Sequence, residues 1–248
     1  MEAEEKETVE QEAEGSAPVK AYSVIADDME LLKKYQDYNA DVVGIIRIPG
    51  TVLNHPVMQT RSDEEYYLMR GLDKQYNPHG VPFLSARSEM EGKGGNRIIY
   101  GHNIHKKTRD IFCDLAGYED LAFYQEHPII ETVSESGTRQ WLIFAYYLVD
   151  NADDEPFKYS DTVDFLSMAA YTAYMDEVGE RNWLCVPYEH SIDDTYLTLS
   201  SCSNELAGSG TNRMVVMAVQ IPYGLDISAQ VADTVMAEEP RLPDKLSK

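Results

Sequence analysis

The sequence predicts a mainly β fold, a barrel or a sandwich, with one helix at its start and a longer one set into its later half. Short apolar, β-branched runs recur between polar turns from residue 41 to residue 221. Helical periodicity comes before these runs over 24–38 and interrupts them once over 160–178. The 248 residues suit one domain of about 150 to 200 residues with tails at both ends.

The first 20 residues are rich in Glu and hold almost no large apolar side chains, so they read as a disordered acidic tether. In "VIADDMELLKKYQDY", Ile25, Met29, Leu32 and Tyr35 recur at helical spacing. "DVVGIIRIPG" from residue 41 is β-branched and ends on a Pro-Gly turn. Strands are expected next at 57–60, 81–85, 97–101, 129–133, 139–149 and 183–187, then at 195–201 and 213–221. Short helices are expected at 108–116 and 119–125. The long helix over 160–178 would put Val163, Leu166, Ala170, Tyr174 and Val178 on one face. Ser160 and Asp161 would cap it and Gly179 would stop it. The folded domain would then span 21–224, and 225–248 reads as a weakly ordered tail.

Charge excludes some partners. With 21 basic and 43 acidic residues, the net charge is −22. Such a surface repels nucleic-acid phosphates and anionic lipid headgroups. Three cysteines, Cys113, Cys185 and Cys202, form no CxxC pair, and their odd number leaves at least one thiol outside any intramolecular disulfide. No run approaches the roughly 18 apolar residues of a membrane span, and the N-terminus has no apolar signal core.

Three stretches carry candidate chemistry. "TYLTLSSCSNEL" runs a β-prone segment into Ser200, Ser201 and Cys202, then breaks into a polar loop. A cysteine at a strand exit is where a substrate can reach it. "RIIYGHNIH" ends an apolar strand at Gly101 and His102. "NRMVVMAVQIP" opens an apolar strand with Arg213, and the loop of 203–212 joins it to Cys202. If those strands are antiparallel neighbours, Cys202 and Arg213 face each other at about 4.8 Å strand spacing. Taken singly, His102 also reads as a turn histidine and Arg213 as a solvent-facing strand end. Together they form a chemical set. A thiolate attacks carbonyls, an imidazole moves protons, and a guanidinium that stays charged stabilises an oxyanion. The set points to covalent acyl transfer. Cys113 in "DIFCDL" and Cys185 in an apolar strand read as core.

Other chemistries lack their patterns. His102 and His105 have no HExxH context, "EGKGGNR" at 91–97 lacks P-loop spacing, and Asp150, Asp153, Asp154 and Glu155 lack EF-hand spacing. His55, His79, His127 and His190 lie in loop-like contexts and receive no role.

"TLSSC" resembles the TLxTC signature of sortases, the cysteine transpeptidases of Gram-positive bacteria, "YGHN" their histidine segment, and "NRMVVMAV" their arginine strand. The order His, Cys, Arg is the family's. "VVGIIRIPGTVLNHPVMQTRSDEEYYL" is similar to the class B opening, and "DIFCDLAGYEDLAFYQEHPII" to the segment after the histidine. The resemblance covers about residues 25 to 223. It implies an eight-stranded sortase-type β-barrel with an N-terminal helix and a long helix before the late strands. It implies Cys202 as nucleophile, His102 as proton carrier and Arg213 as oxyanion and signal holder. Ser200, Ser201, Tyr100 and Asn204 would line the substrate. The expected reaction cuts a C-terminal sorting signal after Thr, often of Asn-Pro-x-Thr type, through a Cys thioester. The acyl group then passes to an amine on lipid II or on a pilin lysine, with no metal or organic cofactor. A hydrolytic cysteine protease and a non-catalytic sorting-peptide-binding module are the alternatives. Ser201 stands where the signature has Thr, and Asn204 where class B members often carry an acid. The implied location is the outer face of the plasma membrane, held by an N-terminal anchor outside these residues.

Overall fold

A computed structural model describes residues 20–104, 109–151, 156–202 and 212–243, with Cys202 placed by its backbone. Nearly all of the expected acidic tether (1–20) and the loop holding Asn204 therefore lie outside the described residues. Helix α1 (Ala26–Tyr38) leads into strands β1 (Val42–Arg47), β2 (Asn54–Met58), β3 (Phe83–Leu84) and β4 (Asn96–Gly101). A small hairpin, β5 (Asn103–Ile104) and β6 (Asp110–Ile111), precedes a 3-10 segment (Cys113–Glu119) and helix α2 (Leu121–Glu126). Strands β7 (Ile129–Ser134) and β8 (Gly137–Asp150) come before helix α3 (Met168–Arg181). Strands β9 (Leu184–Cys185), β10 (Tyr196–Cys202) and β11 (Asn212–Ile221), helix α4 (Ser228–Asp233) and strand β12 (Val235–Met236) complete the order.

Eight strands close into a barrel in the order β1, β2, β3, β4, β10, β11, β8, β7, as the resemblance implied. Its interior follows from strand alternation. Trp141, Ile143, Tyr146 and Leu148 of β8 pack inside with Leu197, Leu199, Met214, Val216 and Ala218. The other faces of β8 and β11 are not solvated. Tyr147, Val149, Val215, Met217 and Val219 pack under Tyr171, Tyr174 and Val178 of α3. Burial on both faces explains why these strands read as nearly unbroken apolar runs.

Helix α3 begins later than the periodicity predicts. Ser167 caps it by accepting a hydrogen bond from the Ala170 amide at 3.2 Å, while Ser160 and Asp161 sit in a short 3-10 turn. The stretch between is held extended because the Val163 carbonyl accepts from the Asn96 amide at 2.7 Å. Leu166 is consequently 92% exposed, not on the buried face. The helix also passes through Gly179 and ends at Arg181. The expected helix at 108–116 is strand β6 followed by 3-10 turns. The expected strand at 183–187 shrinks to Leu184–Cys185 and lies outside the barrel, paired with β12. Cys185 is exposed there rather than in the core, whereas Cys113 is buried. Within the C-terminal segment, α4 and β12 pack back on the domain, and Arg241 ion-pairs with Glu177 and Glu180 of α3.

One polar cluster fixes α1 to the barrel. Asp28 is buried in the first turn of α1 and takes a fork from Arg47 Nη1 and Nη2 at 2.7 and 2.9 Å. Arg47 Nε reaches Glu131 of β7 at 2.7 Å, and the Thr138 hydroxyl of β8 donates to Asp28 at 2.7 Å. The Arg47 hydrogen bond holds the Asp28 carboxyl below its ordinary range. A depressed carboxyl contributes stability that is complete above its unfolded value and is lost as pH falls through its folded value. Asp28→Asn is therefore expected to cost about 2 kcal/mol at pH 7. In urea melts that difference should shrink as pH falls below about 4.

Candidate active site

Two kinds of strand pairing bring the candidate residues to one rim of the barrel. Strand β10 runs parallel to β4, with Ser200 opposite Tyr100 and Ser201 opposite Gly101. Parallel neighbours exit at the same end, so His102 leaves β4 where Cys202 ends β10. On its other side β10 pairs antiparallel with β11, and the last partners in register are Cys202 and Arg213. The antiparallel neighbour begins where β10 stops, which puts Arg213 at the same rim. Cys202, His102 and Arg213 thus come together from three adjacent strands spaced about 4.8 Å apart.

His102 is half-buried and its ring is oriented by backbone. Its Nε2 donates to the Leu68 carbonyl at 2.8 Å. In the neutral ring this leaves Nδ1 as the nitrogen that can accept a proton. Leu68 caps a 3-10 turn (Glu64–Tyr67), and Gly80 lets the chain pass close behind it. Gly80 has φ +63°, and a Cβ there would meet the Leu68 carbonyl oxygen at 2.4 Å. No residue-type pattern marks a carbonyl as functional, so sequence reasoning did not find Leu68.

Beside this rim lies a cavity of about 210 Å³, lined among others by Leu68, Tyr100, Ser200 and Arg213. Glu64 and Glu65 form one wall and Tyr159 and Ser160 another. The Ser200 hydroxyl and the Tyr159 hydroxyl lie 2.7 Å apart, and Tyr174 of α3 donates to the Tyr159 carbonyl at 3.1 Å. Burial, then the neighbouring Tyr159 and Glu64, push the Tyr100 hydroxyl well above its ordinary range, so it stays a phenol. Arg213 Nη1 donates to the Asn212 carbonyl at 3.1 Å. Ser201 is buried, and its hydroxyl finds no partner among the described residues.

The other thiols differ in kind. Burial, then Asp114, push the Cys113 thiol up to about 11, where it is a poor nucleophile at neutral pH. Cys185 stands on the outlying two-stranded sheet.

Comparison with known proteins bears on the family of the chain. A sortase domain family model matches residues 46–221, more than half of the chain. Over 180 residues the chain is 31% identical to sortase B of Staphylococcus aureus, covering 73% of this chain and 70% of that protein. Over 174 residues it is 29% identical to sortase B of Listeria monocytogenes, covering 70% and 68%. A solved Staphylococcus aureus sortase B–substrate complex superposes with a TM-score of 0.69 at 28% identity, covering 79% of this chain and 86% of that one.

The geometry behind Leu68 can be tested without any substrate. Gly80→Ala forces a Cβ both into the left-handed region and against a backbone oxygen. It should destabilise the fold by at least about 1 to 2 kcal/mol. A melting temperature equal to that of the parent protein would show that the turn has another way to close.

Proposed function

Because the chain belongs to the sortase family, and within it to class B, we propose that it is a cysteine transpeptidase acting on C-terminal sorting signals. The observation that carries this reading is the register that sets Cys202 against Arg213 while Gly101 and His102 end the parallel neighbour.

The Cys202 thiol passes its proton to His102 Nδ1, and the thiolate attacks the carbonyl carbon of the signal's Thr. The carbonyl oxygen takes up the electron pair, and the Arg213 guanidinium offers it two fixed donors. The tetrahedral species collapses, the C–N bond breaks, and His102 gives its proton to the leaving amine. A thioester on Cys202 remains. An incoming amine then attacks this thioester, His102 takes up the amine's proton, and the C–S bond breaks as the new amide forms. The hydrogen bond from His102 Nε2 to Leu68 directs this proton traffic through Nδ1. Tyr100 and Ser200 line the cavity beside Arg213 as groups for the signal's backbone and side chains. Ser201 and Asn204 complete the proposed binding set.

The substrates in this reading are surface proteins or pilins. The acceptor is a lipid II stem peptide or a pilin lysine, and the enzyme works at the outer face of the plasma membrane of a Gram-positive bacterium, held by an N-terminal anchor. That a Staphylococcus aureus sortase B forms a substrate complex supports a substrate-binding role for this chain.

Turnover of sorting-signal peptides with an added amine tests the roles. Cys202→Ala should abolish cleavage, and Arg213→Lys should lower kcat by about 100-fold or more because a point charge cannot replace a fork. Cys113→Ala should retain cleavage. Wild-type turnover by Arg213→Lys would remove Arg213 from the mechanism, and turnover by Cys202→Ala would overturn the reading.

A further inference from the structure

The hairpin after His102 contains a backbone conformation that its sequence disfavours. Ile111 has φ +53°, in the left-handed region that β-branched residues rarely enter. This conformation serves the neighbouring strand exit. It lets the Phe112 amide donate to the His102 carbonyl at 3.0 Å. It also brings Ile111 and Phe112 against Gly101, where a Cβ would sit 2.8 Å from the Phe112 ring and 2.9 Å from Ile111 Cγ2.

The groups that hold this conformation lie away from the cavity. Asp110 Oδ1 accepts from the Ile111 amide at 2.9 Å and lies 3.0 Å from His55 Nε2 on β2. Its other oxygen, Oδ2, meets His79 Nδ1 at 3.3 Å. His79 is next to Gly80, in the loop whose Leu68 carbonyl orients the His102 ring. One carboxylate therefore bonds the hairpin and the loop of residues 68–81 and lies beside His55 of β2. Both restraints on His102 lead to it, the backbone restraint through Phe112 and the ring restraint through Leu68.

We propose that Asp110, with His55 and His79, forms a positioning cluster that fixes the place and tautomer of His102. The inference rests on the reading of His102 as the proton carrier. None of the three lines the cavity, so they are positioning residues rather than catalytic ones. Strain held in place by surrounding contacts is a means of pre-organising a site.

The test compares Asp110→Ala, Asp110→Asn and His79→Ala in the full chain. His79 is partly exposed, so His79→Ala folds even if Asp110→Ala does not. Asparagine keeps an acceptor for the Ile111 amide. Asp110→Ala should lower kcat for thioester formation by about 100-fold with KM little changed, because displacement of a proton carrier by about 1 Å has that cost. His79→Ala should lower kcat in the same sense by about 10-fold, and Asp110→Asn should recover most of the Asp110→Ala loss. Nitrogen-15 spectra of the imidazoles give a reading independent of turnover. In the parent protein His102 should show the Nε2-protonated tautomer, and in Asp110→Ala and His79→Ala a mixture, while His127 and His190 stay unchanged. Unaltered His102 signals in both variants would overturn the proposal, as would unaltered kcat. So would a loss of kcat that tracks melting temperature while the His102 signals hold. A parent protein that forms no thioester would refute the transpeptidase reading alone, and the spectra would still decide the positioning claim.

Discussion

The parallel pairing of β4 with β10 is the constraint on which the rest depends. In an otherwise largely antiparallel barrel it makes two strands leave the sheet at the same end. The antiparallel partner β11 must then begin at that end. A histidine after one strand, a cysteine at the end of the next and an arginine at the start of the third meet without any long loop having to place them. A slip of one residue would send every side chain of β10 to the other face. Burial of both faces of β11, inside the barrel and under α3, makes such a slip expensive. The core thus sets the register, and the register sets the site.

The same helix that covers β8 and β11 also shapes the cavity. Tyr174 of α3 holds the Tyr159 carbonyl, and Tyr159 meets the Ser200 hydroxyl. From the opposite side Arg87 donates to the carbonyls of Ser160 and Asp161 at 2.6 and 3.2 Å. The inserted segment is therefore clamped between helix and barrel before any ligand arrives. A wall ordered in advance lowers the ordering cost of whatever ligand the cavity takes.

Legibility in the sequence followed the kind of group involved. Cys202, His102 and Arg213 could be named as candidates because side-chain type carries their proposed chemistry and strand ends carry their placement. The barrel strands were legible where alternation or a long apolar run marked them, as in 139–149 and 213–221. Tertiary hydrogen bonds overrode local signals elsewhere. Ser160 and Asp161 were reasonable caps, but the Asn96 amide holds Val163 extended and moves the helix start to Ser167. Leu184 and Cys185 form a strand as expected, yet their partner is β12 rather than the barrel. Nothing in the sequence around Asp28 points to its partner Arg47, 19 residues away. The Leu68 carbonyl and the left-handed Ile111 have no signature in residue type at all.

Intact mass spectrometry of the protein with sorting-signal peptides, first alone and then with an added amine, tests the central claim most directly. The account predicts an adduct of the acyl fragment on Cys202 that disappears as the amide product forms. An adduct that passes only to water would make the protein a hydrolase. No adduct at all, with a Cys202 thiol unreactive toward an alkylating reagent, would contradict the account and leave a peptide-binding module.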